Sequence, residues 1–232
     1  MLHNIFRNAL YVTIANLALV SPCLGESPIA ESSKDLWNAV LQCIHNGKSM
    51  AASKINTHFD VYDGEGKFLG AVDNMKQQTG WNKDEPVRKE VSSRTFGKPG
   101  MTMELSFGFE NHPEEALDDL PKWSVKGPEL LDAKPVIVIL AEGKPGKNQV
   151  KATVYIDAET KRPQKIDYII PVNSAFGSGM CNVSLWYVAT GAGQWLPARV
   201  HIDQSGRYMF WKRRLVINQE YIEWVKHSYA ER

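Results

Sequence analysis

The strongest constraint on what this chain can fold into is its punctuation. Over the C-terminal half, short runs that alternate apolar and polar residues follow one another at 136–142, 149–156, 164–170, 182–190, 195–203 and 207–217. Glycine- or proline-containing turns separate them at 143–146, 157–163, 191–193 and 204–206. Successive side chains of a strand point to opposite faces, so each run reads as a strand with one face to bury. A train of short strands without long helices between them excludes a doubly wound α/β fold and predicts a mainly β (α+β) architecture of antiparallel strands. Neighbours in sequence are then expected to be neighbours in the sheet throughout. The stretch 173–182 is expected to be a small-residue connector, and 220–227 reads as strand or helix.

The N-terminal half starts differently. Ser32, Ser33, Lys34 and Asp35 offer helix-capping groups, and Leu36, Ala39, Val40, Cys43 and Ile44 recur at helical spacing until Asn46-Gly47 ends the pattern. The result is an amphipathic helix with one stripe to bury. Runs at 55–62 and 67–72 across Asp63-Gly64-Glu65-Gly66 predict a hairpin. From 77 to 99 the chain is polar and charged, with a loop at 82–86 and a solvated strand at 87–96. Met101, Met103, Leu105, Phe107 and Phe109 mark a half-buried strand. A short central helix is expected to open at His112-Pro113-Glu114-Glu115 and close at Pro121.

Residues 1–25 have the layout of a secretory signal peptide: His3 and Arg7, then an apolar stretch at 9–20 too short to span a bilayer, then small residues at Cys23-Leu24-Gly25. Pro22 before Cys23 argues against a lipid anchor at that cysteine. The expectation is a periplasmic or secreted protein without stable membrane insertion, whose 207 remaining residues (232 minus 25, positions 26–232) form a single domain. A formal net charge of +1 with interspersed signs gives no reason to expect nucleic acid as a partner. Two cysteines remain, Cys43 and Cys181. In an oxidising compartment they could pair, closing a loop worth roughly 4–5 kcal/mol of chain entropy, or stay as two buried thiols.

No reactive constellation assembles. His58 with Asp60, and His201 with Asp203, each share a strand face, but neither pair has the ligand spacing of a metal site. Gly177-Ser178-Gly179 lacks the strand–turn–helix setting of a nucleophile elbow, and Gly143-Lys144-Pro145-Gly146 joins two strands where a phosphate loop would lead into a helix. Asp118 and Asp119 are adjacent, so their side chains diverge. No catalytic residue, metal or cofactor is expected, and the chain does not read as an enzyme. What stands out is a large aromatic complement, seven Trp, eight Tyr and eight Phe, which serves either an ordinary core or an apolar cavity.

The stretch 152–166, a strand ending at Asp157 and returning past Pro163, resembles the paired strands of outer-membrane lipoprotein-sorting-like (LolA-like) proteins. Leu185-Trp186-Tyr187, then 193–199, and the closing strand through Arg214 to Trp224 are similar to that superfamily's last strands. The resemblance implies a curved antiparallel sheet forming an incomplete barrel, with the opening amphipathic helix and the short central helix packed on its concave side. It also implies carriage: a hydrophobic groove that shields a lipid, an acyl chain or a lipoprotein ligand. The groove residues it points to are Leu36, Val40 and Ile44 of the helix, Val154 and Ile156 of one strand, and Leu185 and Tyr187 of another, either face of the sheet being eligible. The alternative is an envelope interaction or sensory domain that recognises another protein on the same scaffold.

Overall fold

The structure, a computed structural model, describes residues 29–82, 85–99, 117–144, 149–174, 177–190, 193–208 and 211–227. The leader, the strand expected at 101–109 and the first half of the short helix expected at 112–121 lie outside them. The chain divides into two compact units, Met1–Lys34 and Asp35–Arg232, and the sheet lies wholly in the second. Among the described residues the elements are one helix, α1 (Ile29–Gly47), and ten strands: β1 (Met50–Asp63), β2 (Phe68–Asn82), β3 (Glu85–Gly97), β4 (Lys122–Leu131), β5 (Lys134–Gly143), β6 (Val150–Asp157), β7 (Pro163–Ser174), β8 (Gly177–Ala189), β9 (Trp195–Tyr208) and β10 (Trp211–Lys226). Among the described residues no helix is long and apolar enough to cross a membrane.

All ten strands make one open antiparallel sheet in the order β3-β2-β1-β10-β9-β8-β7-β6-β5-β4. Two meanders, β1–β3 and β4–β10, are each consecutive in the chain, and they join where β1 pairs with β10. The expectation that sequence neighbours are sheet neighbours throughout therefore fails at one place. β3 and β4 follow one another in the chain yet stand at opposite edges.

Local chemistry accounts for the hairpins. At β1–β2, Asp63 Oδ1 accepts the backbone N–H groups of Glu65 and Lys67, both at 2.9 Å, and Gly66 takes φ 84°. At β6–β7, Asp157 Oδ1 accepts from the N–H groups of Glu159 and Thr160 at 3.1 and 2.7 Å, with Lys161 at φ 58°. At β4–β5 the two turn residues, Asp132 and Ala133, both have positive φ, 50° and 64°, the conformation whose twist suits a two-residue hairpin.

Several boundaries correct the expectations. The helix begins at Ile29, ahead of the capping residues at 32–35. The polar stretch 77–99 is mostly strand, since β2 runs to Asn82 and β3 from Glu85. Ser205-Gly206 lies inside β9 and Gly177-Ser178-Gly179 inside β8, where the sequence suggested a turn and a connector. Gly179 and Gly206 are register partners, and a Cβ at Gly179 would run into the Ser205 carbonyl oxygen, so the close backbone approach explains glycines that read as loop. The 220–227 region is strand as far as Lys226. β4 itself was not anticipated: a bulge between Val125 and Gly127, with Gly127 at φ 126°, and Pro128 after it break the alternation, which only an edge strand tolerates. Of the short central helix, the described part is a single tight turn over Leu117–Asp119.

Candidate functional site

Register lines up side chains across the sheet in transverse rows. One runs Val125, Ile139, Val154, Ile166, Leu185, Val200 from β4 to β9, each residue the partner of the next. The adjacent row on the same face runs Trp123, Ala141, Ala152, Tyr168, Val183, Ile202, and continues through Ile217 of β10 and Phe59 of β1. All belong to, or pack against, one hydrophobic cluster, and this is the inner face. Burying each such side chain contributes roughly 1.5–3 kcal/mol, so these rows dominate the stability of the unit.

Helix α1 supplies Trp37, Val40 and Ile44 to the same cluster, with Leu36 and Leu41 partly buried against it. Trp37 stacks on Trp123 of β4 with ring centroids 5.7 Å apart and an interplanar angle of 19°. The turn at Leu117–Asp119 reaches the same face: Leu117 and Leu120 are buried in the cluster, and the Asp119 carbonyl oxygen sits so close to Gly143 that a side chain there would collide with it. At the helix C-terminus Asp118 accepts from His45 Nε2 at 2.9 Å and from Lys48 Nζ at 3.4 Å, an exposed pairing that ties the helix to this turn.

The groove residues named from sequence are thereby located. Val40, Ile44, Val154, Ile156, Leu185 and Tyr187 are all buried in this one cluster, and Leu36 lies at its margin. The helix and both strands thus meet on one face, which answers which side of the sheet the helix faces. The sequence reading passed over Trp37, although its spacing to Val40 and Ile44 is helical, and Trp123, which sits on the unanticipated edge strand. Cys181 lies on the inner face, where burial above all pushes its thiol up to about 11; Cys43 is half-buried, and the two are not bonded to one another.

Beyond β10 the inner face changes character. The row that is apolar from Val125 to Val200 continues as Gln219, Thr57, Asn74 and Ser93. Gln219 Nε2 donates to Thr57 Oγ1 at 3.3 Å, and Asn74 Nδ2 donates to Glu90. The inner face therefore offers two quadrants, one apolar and covered by the helix, the other starting at Thr57 and polar along this row of β2 and β3, with Ile55 and Phe59 of β1 still on the apolar side.

The opposite face is a polar lattice. Asp167, Ser184, His201, Asn218, His58, Asp73 and Arg94 form one row from β7 to β3. Ser184 donates to Asp167 at 2.5 Å, and His201 Nδ1 pairs with Asn218 Oδ1 at 2.7 Å. His58 has both nitrogens engaged, Nδ1 with Asp73 at 2.6 Å and Nε2 with Asp60 at 3.2 Å; the Asp73 bond is the main reason its pKa rises above the ordinary 6.5. Asp203 takes a two-pronged bond from Arg214 at 2.9 and 2.7 Å, which holds its carboxyl below the usual range. The two His/Asp pairs singled out in the sequence are thus parts of strand-to-strand hydrogen bonding. Nearby, Trp186 lies between Lys165 at 5.1 Å and Arg199 at 4.3 Å, a cation–π stack along the next row.

No protein-family profile matches the sequence, and no curated protein does. Solved structures similar to the chain include a DUF1329 family protein from Desulfovibrio piger, at 11% identity and a TM-score of 0.41 over 84% of this chain and 93% of that one. Another is an outer membrane lipoprotein-sorting protein domain from Vibrio parahaemolyticus, at 10% identity and a TM-score of 0.41 over 85% of this chain and 92% of that one. At this looseness of superposition nothing about the ligand follows from either.

Proposed function

We propose that the protein is a non-catalytic carrier or binding protein for lipidated or otherwise hydrophobic ligands, working in the periplasm or outside the cell. The observation that carries this reading is the construction of the inner face: apolar rows crossing six or more strands, and a single amphipathic helix as their chief cover among the described residues.

The energetics favour exchange. Lifting α1 exposes three fully packed side chains, Trp37, Val40 and Ile44, at roughly 1.5–3 kcal/mol each, or on the order of 5–9 kcal/mol. An acyl chain gains about 0.8 kcal/mol per buried methylene, so a chain of about a dozen methylenes supplies roughly 10 kcal/mol in return. A chain of that length offsets the whole of this range, and progressively shorter ones offset less of it, so the cover favours longer chains.

The test is organic extraction of the purified protein followed by lipid mass spectrometry, together with titration of a fluorescent fatty-acid probe. Co-purified lipid in near-stoichiometric amount and saturable probe uptake are expected. Absence of both sinks the carrier reading. Capture of a single stoichiometric partner from envelope extract, with no lipid, would favour the sensory alternative.

A further inference from the structure

In the polar quadrant of the inner face, folding leaves two side-chain amide oxygens of β2 unsatisfied. Asn74 Oδ1 and Gln78 Oε1, both on β2, are buried without a hydrogen-bond partner. Their amide nitrogens are engaged, Asn74 Nδ2 with Glu90 and Gln78 Nε2 with the Gly80 carbonyl at 3.3 Å. Those bonds set the orientation of each amide and leave its oxygen as the open end. An unpaired buried acceptor is costly, and native structures carry few of them without a reason.

Strand alternation puts Asn74 and Gln78 on the same face, four residues or ~13 Å apart. A single small group cannot reach both, whereas a row of donors of that length can. Lys76 lies between them on the same face with Glu90 as its register partner, and Arg88 is the register partner of Gln78, so fixed charges of both signs line the row and a charged head of either sign would meet like charge there. What fits is an uncharged head bearing several hydroxyl donors over about the length of a disaccharide.

From this geometry we infer that the β1–β3 quadrant is the head-group subsite for an amphiphile with an uncharged, polyhydroxylated or glycosyl head, its chains lying along the apolar rows from β4 to β9. The inference rests on the carrier reading and narrows its ligand. Thr57 stands at the boundary between the two quadrants, buried and bonded to Gln219.

Two detergents with the same chain and different heads separate the possibilities. Dodecyl maltoside carries a donor-rich disaccharide; hexaethylene glycol monododecyl ether presents acceptors almost alone. Both are titrated below their micellar concentrations against the full chain loaded with the fluorescent fatty-acid probe. The maltoside is expected to displace the probe at about tenfold lower concentration, the worth of one or two buried hydrogen bonds. Asn74→Leu and Gln78→Met, read separately so that poor folding of one leaves the other, each bring the two concentrations several-fold closer together. Equal potency of the two detergents on the unaltered protein, or a ratio that both variants leave unchanged, overturns the subsite while the carrier reading stands. Failure of the probe to bind at all removes both.

Discussion

If α1 is a cover that exchanges with ligand, its contacts exist in the closed state and are lost in the open one, and Trp37→Ala reads that difference directly. Trp37 is 6% exposed and stacks on Trp123 at 5.7 Å. Truncating a packed tryptophan costs about 3–5 kcal/mol, of which the ring pair accounts for roughly 0.5–1.5 kcal/mol. For a chain of this size each kcal/mol moves the thermal midpoint by about 2–4 °C, so the expected fall is roughly 6–20 °C, followed by far-UV circular dichroism. The same change destabilises only the closed state, so uptake of the fatty-acid probe in stopped-flow mixing accelerates several-fold, and saturating lipid recovers part of the lost stability. A stability loss under about 1 kcal/mol would refute the packing. A normal loss with unchanged or slower uptake would refute the cover and make α1 a permanent part of the core.

Three further outcomes follow from other parts of the molecule. Leu185→Ala, at the centre of the apolar row and fully buried, is expected to cost about 2–5 kcal/mol in urea unfolding, and a loss under 1 kcal/mol would contradict the tight packing of that row. Because the folded-state pKa of His58 is raised, chiefly by Asp73 and then by Asp60 against the opposing effect of burial, its contribution to stability is full below about pH 6.5 and fades as pH rises through the folded value; the stability gap between the protein and a His58→Gln variant should shrink over that rise. A gap independent of pH would mean the imidazole is not charged in its bridge. With its thiol up at about 11 and buried, Cys181 should resist a water-soluble disulfide reagent at pH 8 in a Cys43→Ser variant until denaturant is added, and rapid native labelling would show that the inner face opens to solvent.

How much of this was legible in the residues differs by region. The β5–β10 strands announced themselves because their alternation is regular and their turns carry glycine, Asp157 or Pro163. Where backbone geometry overrode composition, the reading failed. Gly179 and Gly206 are glycines because two strands pass closely, and they were taken for loop. Gly127 and Pro128 hide an edge strand behind a bulge. β2 and β3 were hard for another reason: their inner positions, Asn74, Lys76 and Gln78, are polar, so no apolar alternation marks them as strand. Val40, Ile44, Val154, Ile156, Leu185 and Tyr187 share one buried cluster, a convergence that follows from periodicity once the sheet is assembled. The polar quadrant beside them has no sequence signature, because Asn and Gln on a strand look alike whether their oxygens face water or are buried.

The pairing of β1 with β10 has a consequence for how the molecule is made. Thr57 and Gln219, which bond across that seam, are 162 positions apart, and every other strand interface joins consecutive strands. The first three strands can form their own meander early, but they have nothing to dock against until the last strand has emerged. Assembly must therefore finish with one slow, long-range zipping event, and the two quadrants come face to edge only at that step. A chain stopped before β10 would hold both halves of its inner face and join neither to the other.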